Sequence, residues 1–176
     1  PVLLDFNASG DTVDGVRQLV DTVAQHCELV AVEQPFGVGD FATTSQLAQV
    51  IPYPVSLDES VRTKRDLSTA ANYSAASIVC IKPARVGGLS AARSLVRTAE
   101  SYGLRAYIGG FFESPLGRGA NRTLSAHTTD EPGDVGPVLL VGGDGNWCHD
   151  GVGLGFRPSE TFFTEASLVE VLERPT

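Results

Sequence analysis

The chain has 176 residues, with 13 Lys and Arg against 21 Asp and Glu, a formal charge of −8, and 42% apolar residues. That suits one folded domain of about 100–200 residues with a sizeable core and excludes a disordered or fibrous chain. The acidity, with no run of Lys or Arg, argues against nucleic acid as a partner, and the lack of any apolar stretch near the roughly 18 residues that cross a bilayer argues against a membrane.

The chain opens directly on Val2 to Phe6, an apolar run that reads as a buried strand. With neither an initiator Met nor a signal-peptide layout, this start predicts a preceding segment and a cytoplasmic setting. Val13, Val16, Leu19, Val20 and Val23 follow helical spacing, with Asp11 or Thr12 as the start signal. A second strand is expected at Leu29 to Val32, then a helix at Phe41 to Val50, a strand at Pro54 to Leu57 and a helix at Lys64 to Tyr73. A fourth strand at Ser77 to Ile81 precedes a helix from Leu89 to Tyr102, stopped by Gly103, and a fifth strand at Leu104 to Ile108. Asp134 to Val141 is a further candidate strand, Gly142 to Gly155 reads as a long loop, and a last helix is expected from Ser159 or Thr164 to Leu172.

The strands are continuous apolar runs, which is the pattern of a parallel sheet covered on both faces, and strand alternating with helix requires βαβ crossovers in an α/β architecture. The pattern alone leaves a closed barrel and a doubly wound open sheet equally possible. Cys27, Cys80 and Cys148 are odd in number and widely spaced, so they read as free thiols outside any metal site, and His26, His127 and His149 read as surface residues. Gly87-Gly88 reads as a tight strand-to-helix turn rather than a phosphate cradle, and Ser114 lacks the Gly-x-Ser-x-Gly setting of a hydrolase.

A charged residue follows each of the first four strands: Asp5, Glu33, Asp58 and Lys82, at intervals of 28, 25 and 24 residues. One βα unit per interval brings all four to the C-terminal edge of the sheet, where α/β enzymes place their chemistry. Each acid alone is better explained as a helix N-cap or a solvated loop charge, and the set taken together favours a site. Three adjacent carboxylates raise each other's pKa, and a hard dication such as Mg²⁺, bound octahedrally by oxygen, resolves that conflict while leaving room for water and a substrate carboxylate. Lys82 then stands across the mouth, and Asn7, Gln34, Glu59 and Arg85 are placed to orient the ligands. Of Phe111 and Phe112, alternation predicts one in the core and the other on the substrate pocket.

Asp5-Phe6-Asn7, Val32-Glu33-Gln34-Pro35, Leu57-Asp58-Glu59-Ser60 and Ile81-Lys82-Pro83-Ala84-Arg85-Val86-Gly87-Gly88 resemble, in order and spacing, the barrel domain of the muconate-lactonising subgroup of the enolase superfamily. The stretch from Gly109 to Asn121 is most similar to the branch of o-succinylbenzoate synthases and N-acylamino acid racemases. The resemblance implies an α/β fold that is part of a (β/α)₈ TIM-type barrel, about strands 3 to 8. Residues 1–158 would form the C-terminal part of the barrel domain and 159–176 a helix and tail, with the capping domain and first two barrel strands lying upstream.

The resemblance also implies Mg²⁺ on Asp5, Glu33 and Asp58, abstraction of a proton α to a carboxylate through a metal-stabilised enediolate, and Lys82 as acid/base or facing cation. Gly110, Phe111, Phe112 and Asp134 fall at substrate-binding positions, and the single acid at Asp134 favours a carboxylate substrate bearing an acyl or succinyl group over one with a free amine. Dipeptide epimerase and muconate cycloisomerase activities are the neighbouring alternatives. The family's Lys-x-Lys pair has no counterpart, because the lysines are Lys64 and Lys82, so the 176 residues alone are expected to be inactive. A non-catalytic barrel fragment is the rival reading. Homo-oligomerisation, or association with the N-terminal part, would cover the open sheet edges.

Overall fold

The computed structural model describes residues 1–129, 131–135, 147–148 and 157–158. Five strands, β1 (Val2–Asp5), β2 (Leu29–Glu33), β3 (Val55–Leu57), β4 (Ile78–Ile81) and β5 (Arg105–Ile108), form one parallel sheet in the order β1-β2-β3-β4-β5. The helices between them are α1 (Val13–Ala24), α2 (Phe41–Val50), α3 (Lys64–Tyr73), then α4 (Pro83–Val86) and α5 (Leu89–Ser101) in one connection, with α6 (Pro115–Thr128) after β5. Strand order without reversal decides the question left open above, since a doubly wound sheet reverses at a switch point. The sheet is an arc of a barrel. A parallel bridge between Gly109 and Asp134 continues the arc where the sixth strand is expected.

Local chemistry explains the helix starts. Thr12 caps α1 by accepting from the Gly15 amide, Asp40 caps α2 by accepting from the Thr43 amide, and Thr63 and Asp66 cap α3 reciprocally. Two helices lie outside the sequence expectation. In α6, Gly117 and Gly119 depress helix propensity and hide the signal, but Ser114 as cap and Pro115 in the first turn start the helix. The short α4 is capped at its far end by Gly87 at φ 96°. A small antiparallel pair, β6 (Trp147–Cys148) with β7 (Arg157–Pro158), interrupts the expected loop. The rest of the candidate sixth strand and the expected last helix lie outside the described residues.

The two faces of the sheet differ. Val32, Val55, Leu57, Val79, Ile81, Ala106 and Ile108 share one core with Val16, Val20, Leu47, Leu67, Leu95 and Val96 of the helices. The opposite face carries a separate, smaller cluster of Ala31, Ile78, Cys80 and Tyr107, flanked by the buried polar residues Glu33, Ser56 and Asp58. Full burial on both faces, expected from the continuous apolar runs, does not hold at the β1 end, where Val2, Leu3 and Val30 are 41%, 40% and 43% exposed. There β1 is the outermost strand of the described sheet.

Candidate metal and acid–base site

Parallel register, with Asp5 opposite Glu33 and Ile81 opposite Ile108, aligns the strand ends, and the chemistry-bearing residues follow them. Asp5 ends β1 and Glu33 ends β2. Asp58 and Lys82 come one residue after β3 and β4, and Gly109 and Gly110 follow β5.

Asp58 is the best-held member. Its Oδ1 accepts from Arg85 Nη1 at 2.6 Å and its Oδ2 from Arg85 Nη2 at 3.3 Å, while Lys82 Nζ stands 2.8 Å from Oδ2. Arg85 Nη1 also donates to the Asp58 carbonyl at 2.7 Å. Burial works against the Asp58 charge, but the bonds from Arg85 and Lys82 outweigh it and hold the carboxyl below the usual carboxylate range. Burial likewise opposes the Lys82 ammonium, and Asp58 outweighs it, so Lys82 is protonated at neutral pH.

Gln34 supports the same carboxylate from the chain side. Fully buried at φ 35°, it accepts on Oε1 from the Asp58 and Ser60 amides at 3.0 and 3.1 Å and donates from Nε2 to Ser60 Oγ and the Phe36 carbonyl, both at 2.8 Å. Gln34 and Arg85, both expected near the ligands, thus contact Asp58. Asn7 acts through its main chain, donating its amide to Asp5 Oδ1 at 2.8 Å. Glu59 has its Oε2 buried without a hydrogen-bond partner among the described residues.

Glu33 is 6% exposed and lacks a bonded cation among the described residues. Burial drives its pKa up to about 7; Tyr107, donating to Glu33 Oε2, opposes the rise, whereas Asp5 and Asp58 add to it. A divalent cation matches this environment, because Glu33 and Asp58 are buried close together with Asp5 at the neighbouring strand end, and among the described residues Asp58 alone of the three is paired with side-chain cations. The donor atoms of Glu33, Asp58 and Cys80 lie within 4.8 Å of one another. Asp5 is exposed and outside that set, although it faces Glu33 in register.

Phe111 covers the cationic side, its ring centroid 4.8 Å from Lys82 Nζ and 5.2 Å from the Arg85 guanidinium carbon. The expectation that one phenylalanine joins the core fails: Phe111 is 46% and Phe112 94% exposed, because the chain leaves the sheet at Gly110 and strand alternation ends there. Gly110 donates its amide to the Asp134 carbonyl at 2.8 Å, which fixes Asp134 at the same edge with its side chain exposed. Gly109 is required by close approach, since a Cβ there would lie 2.4 Å from Cys80 Sγ and 3.0 Å from Lys82 Cε. Tyr107 and Cys80 were not singled out from sequence for this site; period-2 alternation back from Gly109 and Lys82 is the signal that places them on its face.

Residues 1–133 match the model of the enolase C-terminal domain-like family. The chain belongs to this family. It is 31% identical over 136 residues to the o-succinylbenzoate synthase of Enterococcus faecalis strain V583, covering 77% of this chain and 36% of that protein. It is 33% identical over 156 residues to the N-succinylamino acid racemase of an Amycolatopsis species, covering 81% and 42%. A solved enolase-superfamily structure from Enterococcus faecalis V583 aligns with a TM-score of 0.76 at 26% identity, covering 94% of this chain and 47% of that one. The chain therefore spans less than half the length of these relatives. Among the described residues, no helix is long and apolar enough to cross a membrane.

Proposed function

We propose that this chain supplies the metal-holding and cationic half of an active site that removes a proton α to a carboxylate. The observation that carries the reading is the juxtaposition, at one strand edge, of Glu33 crowded by Asp5 and Asp58 with the ammonium of Lys82. Asp5, Glu33 and Asp58 would hold Mg²⁺, which when bound supplies a Lewis acid for the substrate carboxylate. Lys82, protonated and pinned by Asp58, acts as a fixed cation or as a proton donor to the substrate's α-carbon, not as the resting base. Arg85 and Gln34 keep Asp58 in place, and Phe111 shields Lys82 from water.

The single acid at Asp134 and the apolar Phe111 and Phe112 beside it favour a small acyl- or succinyl-bearing carboxylate, as in a synthase or an N-acylamino acid racemase, over a dipeptide with a free amine. Because Lys64, the other lysine, stands exposed at the start of α3, no second lysine faces Lys82, and the 176 residues alone do not turn over.

The test is Mg²⁺ binding by calorimetry together with α-proton exchange of N-succinylamino acids in D₂O followed by NMR. Mg²⁺ binding that Asp58→Asn removes, without exchange by the chain alone, is expected. Absence of Mg²⁺ binding would overturn the metal reading, and strong exchange by the 176 residues would make Lys82 or a carboxylate the sole base.

A further inference from the structure

The inner face of the sheet carries a thiol that the proposed reaction does not use. Cys80 is fully buried in β4, two residues before Lys82, so alternation aims both side chains to the same side. Its Sγ lies with a carboxylate oxygen of Glu33 and of Asp58 in a set whose members are all within 4.8 Å of one another, the one such group of His, Cys, Asp and Glu donors among the described residues. Gly109 keeps the sulfur there: the absent Cβ, which would come within 2.4 Å of Sγ, is the space that the thiol fills against the end of β5.

Two oxygens and a sulfur are the donors of a borderline-soft cation, whereas Mg²⁺ selects oxygen alone. A tetrahedral site with metal–sulfur bonds of about 2.3 Å and metal–oxygen bonds of about 2.0–2.2 Å sets its donors about 3.5 Å apart. A contraction of about 1 Å thus closes the set. The ion pairs leave room for this at Asp58 Oδ1, which among the described residues accepts from Arg85 Nη1 alone and keeps a second lone-pair site, whereas Oδ2 already accepts from both Lys82 and Arg85.

We propose that Glu33, Asp58 and Cys80 form a site for a thiophilic dication, Zn²⁺ or Cd²⁺, that overlaps the magnesium position through both carboxylates and excludes Mg²⁺ when filled. On binding, the S–H bond breaks as the sulfur–metal bond forms, and the proton leaves to solvent. No electron transfer is involved. Two carboxylates and a thiolate then face the dication and the two side-chain cations, which leaves the pocket with a net charge of +1. The fourth coordination position falls to water.

The thiophilic site itself needs only Glu33, Asp58 and Cys80, whereas its exclusion of Mg²⁺ rests on the functional reading above. The test titrates the protein with Co²⁺ as a spectroscopic probe and measures Cd²⁺ and Mg²⁺ affinity by calorimetry, in wild type, Cys80→Ser and the volume-conserving Cys80→Val. All three proteins keep Cys27 and Cys148, so a signal from those thiols would persist throughout. Expected are a thiolate-to-cobalt charge-transfer band in wild type alone, a loss of Cd²⁺ affinity of about tenfold or more in both variants, and Mg²⁺ affinity changed by less than about twofold. A band that survives in Cys80→Ser, no band in wild type, or Cd²⁺ and Mg²⁺ affinities that fall together would overturn the proposal. Cys80-dependent Cd²⁺ binding in a protein without Mg²⁺ affinity would sustain it and sink the functional reading; Mg²⁺ binding without a cobalt band would do the reverse.

Discussion

The outer and inner faces of this one sheet solve different problems. Outside, Val32, Leu57, Val79, Ile81 and Ile108 pack against four helices in a single core, where each contact is one of many and any apolar residue of similar volume serves. Inside, Asp58 answers to Lys82, Arg85 and Gln34, and Glu33 to Tyr107, each through particular atoms. Substitution should therefore lower stability alone on the outer face, but should alter stability, protonation and ligand binding together on the inner one.

Asp58→Asn should separate the two most sharply. It removes the buried charge that two part-buried cations share, which costs up to about 3–5 kcal/mol when one partner of a buried pair is deleted, and it removes a metal ligand. Chemical denaturation and Mg²⁺ calorimetry should show both losses. Leu67→Ala, fully buried where α3 meets the outer core, should cost about 2–5 kcal/mol of stability while leaving Mg²⁺ affinity in the remaining folded protein unchanged. Equal losses of metal affinity in the two variants would erase the distinction between the faces.

Next in size is a pH effect confined to the inner face. Glu33 has its pKa raised to about 7 from 4.5, so between those values the native state binds more protons than the unfolded chain. Its contribution is therefore present at low pH and lost as pH rises through about 7, amounting to about 3 kcal/mol. Asp58, whose carboxyl is held low, has the opposite sign: its contribution is present above the unfolded carboxylate pKa and is lost as pH falls through the lower folded value. Metal-free protein should thus lose stability between pH 5 and pH 8, and Glu33→Gln should flatten that slope. Denaturant midpoints across the range, with and without Mg²⁺, measure it; an unchanged slope in the variant would mean that Glu33 is not the titrating group.

The outer face and the roster of charged residues were legible because both follow from local pattern. One βα unit per 24 to 28 residues places Asp5, Glu33, Asp58 and Lys82 on one edge whatever the strand order. Closure of the arc was not legible, because local periodicity carries no information about which strand lies beside which. Tyr107 and Cys80 escaped for the same reason. The Tyr107 bonds to Glu33 and Ser56 span 74 and 51 residues, and a thiol in an apolar run looks like any small core residue until a neighbouring strand brings carboxylates to it. In α6 the glycines outvoted the cap, and the exit of the chain at Gly110 broke the alternation that had placed one phenylalanine in the core.

The smallest expected effect tests where the inner face ends. Phe111 is half exposed, yet its ring lies over both cations that hold Asp58, at 4.8 and 5.2 Å. A ring at that distance contributes about 0.5–1 kcal/mol at an exposed site, more if water is excluded. Phe111→Leu keeps most of the apolar cover but removes the quadrupole, and Phe111→Ala removes both. If the ring acts through its π face, both variants should lose a similar amount, about 0.5–1 kcal/mol by denaturation, and both should bind carboxylate ligands with altered salt dependence as Lys82 and Arg85 become better hydrated. If it acts only as cover, Leu should match wild type and Ala alone should fall. The fully exposed Phe112 serves as the internal control, since Phe112→Ala should leave stability within about 0.5 kcal/mol of wild type. A Phe112 effect on stability as large as that of Phe111 would place the boundary of the inner face one residue further along the loop.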